Sequence, residues 1–377
     1  MKKRYKYKLR PGAQAEALLK RHAGTCRWVW NQCVDRFNDK DDTSQNALIK
    51  NLTALRKEHE WLREQPLVPQ QQAIRDFIAA KNAFFKKIRK RPKIKSKYRS
   101  LPSLNYTRNG FGITKDGRLR LAGGIFIPVV WSRELPTSPT SVRVYQDSVG
   151  TWWASFVVDV DTEIKPRENN GDIGVDWGVK TPATTTNSDF DLKYSPRVRE
   201  SSEKLAKLQR RMALHRKNKE WSLYKKAKRK AAKLHRKLRN QRREQSRKWS
   251  QNIAKNHANI AVEDFKPKFL SQNKRLAKKA SENAIALVKS ELEAATQSYG
   301  SNLILIDPRY TTMDCSFCGT RPTVKIELHV RTYQCDQCGI KIDRDLNAAK
   351  NMLIRAGFNP AGNNDYKTPA LDGPGLV

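Results

Sequence analysis

The sequence predicts a multidomain α/β chain in which helical and all-β parts precede an α/β region. Three observations predict it: apolar residues recur with a helical period between Gly12 and Asp39, the period changes to two between Phe111 and Val160, and past Asn170 short strands alternate with amphipathic helices. At 377 residues the chain is long enough for two or three domains, each burying its own core. Lys plus Arg number 75 against 37 Asp plus Glu, a formal charge of +38. Self-repulsion of that size opposes compaction unless a polyanion neutralises it, and a nucleic acid is the obvious polyanion. No run reaches the roughly eighteen apolar residues of a membrane span. The N-terminus MKKRYKYKLR is basic but lacks the apolar core of a secretory signal, so a cytosolic chain with no membrane partner is expected.

In the N-terminal part, Ala15, Leu19, Cys26, Trp30, Cys33 and Phe37 fall at helical spacing, and a second helical stretch runs from about Gln70 to Ile88. Together they predict a helical domain over residues 11–99. Cys26 and Cys33 lie seven apart, roughly 10 Å along a helix at about 1.5 Å per residue, which is too far for a disulfide; both read as core. The second helix runs into a basic stretch, Lys86 to Lys95, where Pro92 breaks it. Lys86, Lys87, Lys93 and Lys95 suit contact with a phosphate backbone, with a solvated basic loop as the alternative. Ile113, the turn Asp116-Gly117, Leu119 and Leu121, then Ile125, Ile127 and Val129, then Val142 and Val144, and finally Trp153 to Val160 describe short strands with hairpin signals. They predict a small β-barrel or sandwich over residues 100–165, opened by Tyr5 to Leu9 within residues 1–10, so that the helices form an insertion in it.

Past the linker Lys165 to Asn170, Ile173 to Val179 reads as a strand, Pro182 to Thr186 as its hairpin partner and Phe190 to Tyr194 as a third. A long helical region follows, then a strand Asn259 to Val262, a helix around Ile285, Val288, Leu292 and Ala295 closed by Gly300, a strand Leu303 to Ile306, and a last helix Leu346 to Ala356 closed by Gly357. Three strands, helix, strand, helix, strand, helix is the order of an RNase H-like α/β fold. It spans residues 166–313 and 340–357, interrupted by residues 314–339, and from Phe358 the Pro-, Gly- and Asn-rich tail reads as disordered.

The long helical region is among the most basic in the chain, and its stretch YKKAKRKAAKLHRKLRNQRR contains no acid. Like charges at i, i+4 destabilise a helix in water by about 0.2–0.5 kcal/mol per pair. A nucleic-acid backbone reverses that penalty, which marks Lys225, Lys226, Arg229, Lys230, Arg236 and Arg239 as candidate contacts; a merely solubilising surface helix is the alternative. Leu205, Leu208, Met212, Leu223 and Leu234 supply a thin apolar stripe for docking it.

The interruption holds Cys315-Ser-Phe-Cys318-Gly and Cys335-Asp-Gln-Cys338-Gly, with sixteen residues between the two pairs. Each turn points two thiolates at one point and the Gly permits its left-handed residue, so the four cysteines suit one tetrahedral Zn²⁺ with no open position, a structural site. A redox role would need one pair on a βαβ unit. Three acids stand where the predicted strand order would gather them: Asp176 in the first strand, Glu263 after the fourth, Asp345 at the start of the last helix. Two Mg²⁺ ions about 4 Å apart need several carboxylate oxygens at one point, to activate a water and to stabilise the leaving oxygen of a phosphodiester. Singly, each acid could be a turn residue, an ion-pair partner or a helix cap. Together, with six scattered His and no nucleophile motif, they point to metal-dependent hydrolysis.

The combination GVDWGVKTPAT, IAVEDF, CSFCG with CDQCG, and DRDLNAAKNM resembles the transposon-encoded RNA-guided endonucleases of the TnpB family, relatives of the type V CRISPR effectors. RPGAQAEALLKRHAGTCRWVWNQCVDRF and RDFIAAKNAFFKK resemble that family's two N-terminal helical blocks, so the likeness covers most of residues 1 to 357. Departures are modest: Trp177 stands where Leu is commoner, and Tyr310-Thr311-Thr312 where Tyr-Thr-Ser is usual. The resemblance implies that Asp176, Glu263 and Asp345 are the acids of a RuvC-like nuclease with an inserted zinc ribbon, behind a wedge-like β-barrel carrying a helical recognition insertion. Inactive relatives usually lose one or more of these acids, so the resemblance with all three present implies an active nuclease. The resemblance further implies a guide RNA from the transposon end, double-stranded target DNA, and a short target-adjacent motif read by the N-terminal part, with sequence choice delegated to base pairing. Gln70, Gln71, Gln72 and Arg75 lie where the second helical block faces that motif and could read base edges; exposed helix polars are the alternative. Rival readings are a DNA-binding regulator whose acids survive, and a miniature type V effector.

Overall fold

The computed structural model describes residues 2–161, 163–178, 181–264, 284–323 and 330–359. The tail expected to be disordered lies, from residue 360 on, outside the described residues, as does Val179 at the end of the expected first α/β strand. The chain divides into two compact units, Met1–Thr162 and Glu163–Val377.

In the first unit, β1 (Lys2–Leu9) is a strand because KKRYKYKL alternates: Tyr7 and Leu9 turn inward while Lys2, Arg4 and Lys8 stay exposed. It pairs antiparallel with β8 (Trp152–Asp159), in which Trp152, Ala154, Phe156 and Val158 are buried. β2 (Ser103–Thr107), β6 (Val129–Val130) and β7 (Ser141–Gln146) complete a sheet of order β2-β7-β8-β1-β6. A meander of β3 (Phe111–Ile113), β4 (Leu119–Leu121) and β5 (Ile125–Ile127) lies beside it, its first turn closed by Gly117 at φ 76°.

Helix α1 (Ala13–Asn38) buries Leu19, Ala23, Cys26, Val29, Trp30, Cys33 and Val34, so both cysteines are core. Helix α2 (Gln45–Glu58) is capped by Ser44, whose Oγ accepts from the Ala47 amide. It escapes sequence reading because Leu48 and Leu52 are its only buried residues. After the single turn α3 (Glu60–Arg63) comes α4 (Leu67–Phe85), which packs on α1 and β2. Pro92 is not what stops α4: the helix ends at Phe85, and Lys87 at φ 55° turns the chain away. The segment beyond returns to α1, where Asn31 accepts from the Lys95 amide and donates to its carbonyl.

The second unit is built on a four-stranded sheet, order β10-β9-β11-β12, of β9 (Gly171–Asp176), β10 (Thr184–Thr185), β11 (His257–Glu263) and β12 (Asn302–Ile306). β9, β11 and β12 run parallel and β10 antiparallel to β9. Parallel neighbours need crossovers, supplied by α5 (Pro196–Lys217) with α6 (Trp221–Asn256), and by α7 (Ile285–Tyr299), which ends on Gly300 at φ 65°. The expected strand Phe190 to Tyr194 is a 3₁₀ turn over Ser188–Phe190 plus one bridge, Ala183 to Leu192. Asn187 accepts from the Asp189 amide and Asp191 from the Thr185 amide, so side chains take bonds that a ladder would use.

One face of this sheet packs Ile173, Val175, Ile260 and Val262 against Trp249 and Ile253 of α6 and Val288 and Leu292 of α7. The other packs Ala261 and Ile306 against Met352 and Leu353 of α8 (Arg344–Arg355). Between β12 and α8 lie the cysteine turns and the two-stranded ribbon of β13 (Thr332–Gln334) and β14 (Lys341–Asp343). The basic region splits into α5 and α6 at Lys219, φ 57°, and the two helices pack together. Leu205, Leu208, Met212 and Leu234 are half-buried there, but Leu223 is exposed; Ala227, Ala231 and Leu238 carry the buried stripe of α6 instead. No helix among the described residues is long and apolar enough to cross a membrane.

Candidate active site and metal centre

The three acids reach one place by strand parity and one close approach. In β9, Ile173 and Val175 face α6 and α7, so Gly174 and Asp176 face α8. In β11 the same alternation sends Ala261 and Glu263 to the α8 side. The register aligns Val262 with Val175, which puts Glu263 beside Asp176 at the carboxyl ends of neighbouring parallel strands. On α8, Asp345, Ala349 and Met352 form one stripe facing the sheet. The Ala349 carbonyl rests on the bare Cα of Gly174, where a Cβ would overlap it. One turn back along the helix and two residues along the strand, Asp345 comes over Asp176.

Electrostatics agree with this gathering. Asp176 is 7% exposed and its carboxyl is held well above the usual range, first by burial and then by Glu263 and Asp345, with Arg344 opposing and Asp343 adding. Glu263 is pushed up to about 7 by burial, against the pull of Lys289 and with the push of Asp264. Lys289 of α7 lies 3.2 Å from Asp264. Asp345 stands 3.6 Å from the Arg331 guanidinium. Buried and half-buried carboxylates that repel one another need cations, and hard oxygen donors suit Mg²⁺. Among the described residues, the acids do not converge to the 4.8 Å spread of ligand atoms seen for the cysteines. A two-ion site, its ions about 4 Å apart, is wider than the ligand sphere of a single ion.

Cys315, Cys318, Cys335 and Cys338 bring their sulfurs within 4.8 Å of one another, with Cys315 to Cys338 and Cys318 to Cys335 each at 3.6 Å. A tetrahedral Zn²⁺ with about 2.3 Å bonds wants sulfurs roughly 3.8 Å apart, so the donor set fits that ion. Both turns are alike: Gly319 donates to the Cys315 carbonyl and Gly339 to that of Cys335, with φ 77° and 72°.

The expected nucleic-acid contacts fare unevenly. Gln70 is fully buried and donates its amide to the Leu62 and Gln65 carbonyls, so it cannot read a base edge. Its place on the inner face of α4 overrides its polarity. Gln71 and Gln72 are half-buried and Arg75 exposed. Lys86, Lys87 and Lys93 are exposed, whereas Lys95 is half-buried with its ammonium 3.3 Å from the centre of the Trp30 ring. Lys225, Lys226, Arg229, Lys230 and Arg239 are exposed and Arg236 half-buried. Sequence reading missed the outward face of the first sheet, where Lys6 sits 3.9 Å over Trp153 and Arg143 lies 5.8 Å from the Tyr145 ring. The lysine alternation of β1 was the signal for it. Asn347 and Asn351, spaced i, i+4 in DLNAAKNM, were likewise unread.

Residues 155–281 match the IS605 OrfB family, described as a probable transposase, residues 274–352 a Cas12f1-like TNB domain, and residues 1–40 a helix-turn-helix domain of the IS605 OrfB type. Those first forty residues contain β1 and the single helix α1. A Streptomyces pristinaespiralis protein provisionally named as an RNA-guided DNA endonuclease is 32% identical over 365 residues, covering 94% of this chain and 89% of its own. An Escherichia coli K12 protein of the same provisional name, InsQ, is 28% identical, covering 93% and 91%. The fold resembles the protein in a cryo-EM structure of a Cas12f1-sgRNA-target DNA complex, with a TM-score of 0.60, 14% identity, and 93% and 98% of the two chains covered.

Proposed function

Because this chain belongs to the TnpB family of IS605-type transposon proteins, we propose that it is an RNA-guided DNA endonuclease whose Asp176, Glu263 and Asp345 hold divalent cations at the phosphodiester to be cut. The observation that supports this reading is that Asp176 and Glu263, at the ends of neighbouring parallel strands, lie on the sheet face that α8 covers, with Asp345 of α8 close enough to raise the Asp176 carboxyl. In this reading the second unit is a RuvC-like RNase H domain with an inserted zinc ribbon, and the first is a wedge-like barrel with a helical recognition insertion. Guide RNA from the transposon end and double-stranded target DNA beside a short motif are its partners, in the cytoplasm.

Bound Mg²⁺ would supply a Lewis acid at the scissile phosphate and a water of lowered pKa. The chain's own residues do the rest. Asp176 and Glu263 present oxygens from a rigid sheet, and Asp345 closes the site from the helix, which packs on that face through Met352 and Leu353. Lys289 and Arg344 limit the repulsion among the acids. The exposed cations of α5 and α6 suit phosphate backbones.

The test is cleavage of a plasmid library carrying randomised adjacent motifs by protein co-purified with its RNA. Asp176→Ala, Glu263→Ala and Asp345→Ala should each abolish cutting and keep RNA and target binding. Wild-type cutting by any one of them removes that residue from the site. Sequencing of the co-purified RNA tests guide dependence, and an absence of any transposon-end transcript would count against it.

A further inference from the structure

We propose that Asn347 and Asn351 are positioning residues that fasten the cysteine turns to α8, so that metal bound by the four cysteines determines where Asp345 stands over Asp176. The proposal rests on the reading of the three acids as a divalent-cation site.

Both side chains are buried, at 0% and 5% exposure, on the helix that carries Asp345. A buried amide is costly unless its bonds are made, and these are made to one place. Asn347 accepts from the Ser316 amide, between the first two cysteines, at 2.9 Å and donates to the Asp314 carbonyl at 2.8 Å. Asn351 donates to the Thr311 and Asp314 carbonyls at 2.8 and 2.7 Å. Arg355, one turn further, reaches the Asp314 carboxylate at 2.7 Å. Three successive turns of α8 thus grip residues 311–316.

The second pair of cysteines holds the other end. Cys335 follows β13, which pairs with β14 from Thr332–Asp343 to Gln334–Lys341. Asp343 ends β14 and caps α8, accepting from the Asp345 and Leu346 amides. Arg331, just before β13, accepts from the Arg344 amide at its carbonyl and sets its guanidinium 3.6 Å from Asp345. Asp345 is therefore bracketed by both halves of the cysteine site. Cys315, Cys318, Cys335 and Cys338 would hold one ion, and holding it would lock those halves together. The asparagines carry that lock into the helix. Without them the three-residue ribbon and Arg355 would be left to tie the cysteine turns to the helix of the acid.

The experiment measures Mn²⁺ affinity of the purified full chain by calorimetry and electron paramagnetic resonance, with zinc content by elemental analysis. Mn²⁺ prefers carboxylates to thiolates and so reports the acid site. Loss of a partner that orients a metal ligand typically weakens metal binding about 10–100-fold. Asn347→Ala and Asn351→Ala should each weaken Mn²⁺ binding at least tenfold with one zinc per chain retained. Met352→Ala, a core truncation on the same helix, should lower the melting temperature and leave Mn²⁺ affinity within twofold. Mn²⁺ affinity within twofold of wild type in both asparagine variants overturns the proposal, as does an equal loss in Met352→Ala. Should an asparagine variant shed zinc, chelator-stripped wild type decides: a tenfold loss supports the link and unchanged affinity overturns it. Asp176→Ala separates the two levels. If it leaves Mn²⁺ binding untouched, the cation site itself fails and the proposal falls with it. If it abolishes binding while the asparagine variants do nothing, only the proposal fails.

Discussion

Gly174→Ala tests how the candidate active site is held together without touching any acid. A Cβ at this position would overlap the Ala349 carbonyl oxygen and come within 3.0 Å of its carbon and 3.1 Å of Thr186 Cγ2, against an ordinary contact of 3.4–4 Å. The oxygen is backbone and cannot rotate away, so α8 and β9 must separate by something on the order of 1 Å. Asp345 rides on the same face one turn from Ala349 and moves with it. A misplacement of about 1 Å can lower a rate by roughly two orders of magnitude, while overpacking of this kind costs about 1–3 kcal/mol of stability. The expected result is cleavage of a supercoiled target reduced about 100-fold under single-turnover conditions, target binding within a few-fold of wild type, and a modestly lowered melting temperature. Gly24→Ala is the control: nothing lies within 4 Å of its Cβ, it sits inside α1, and it should be neutral or stabilising by about 0.5–1 kcal/mol. Cleavage by Gly174→Ala within threefold of wild type would refute the claim that this contact sets the position of Asp345.

Other outcomes follow from the same structure. Cys315→Ser should reduce zinc content and lower the melting temperature of the second unit, because a thiolate-bound metal contributes folding free energy; an unchanged melting curve would count against the site. Gln70→Ala removes two hydrogen bonds from a buried amide, but the Leu62 and Gln65 carbonyls also accept from Arg56, so it should cost only about 0.5–1.5 kcal/mol in the melting transition and keep the adjacent-motif preference in a library assay. RNA affinity should fall steeply between about 50 and 200 mM salt through counterion release, and a flat response would contradict backbone contact by α5 and α6. His22 is buried and its pKa is lowered from 6.5 to about 4, chiefly by burial and then by Arg21. The unfolded chain therefore binds the extra proton first, and stability present above about pH 6.5 is lost as pH falls toward 4, by at most about 3 kcal/mol. His22→Gln should flatten that acid limb of the first unit's melting temperature; an unaltered slope would show that other groups dominate it.

Periodicity carried the sequence a long way in some places. The alternation of KKRYKYKL and the seven apolar residues of α1 each have one way to bury their apolar side, and the structure adopts it. Where few residues are buried, as in α2, or where side chains compete for backbone bonds, as around Asn187 and Asp191, the pattern carries too little information. Gln70 shows the same limit at a candidate contact. Its type suggested a base reader, but the face of α4 on which it falls made it a buried clamp for the loop after α3.

The CxxC spacing and the three acids could be read from the chain alone, because thiolate pairs and strand-end carboxylates are local features with local causes. Their assembly could not. That Asp345 comes to Asp176 depends on α8 lying against the one β9 residue that has no side chain, and on two buried asparagines tying that helix to the cysteine turns. Contacts between residues tens to more than a hundred positions apart are chosen by which surfaces can close without overlap or unpaired amides, and only the folded chain makes that choice.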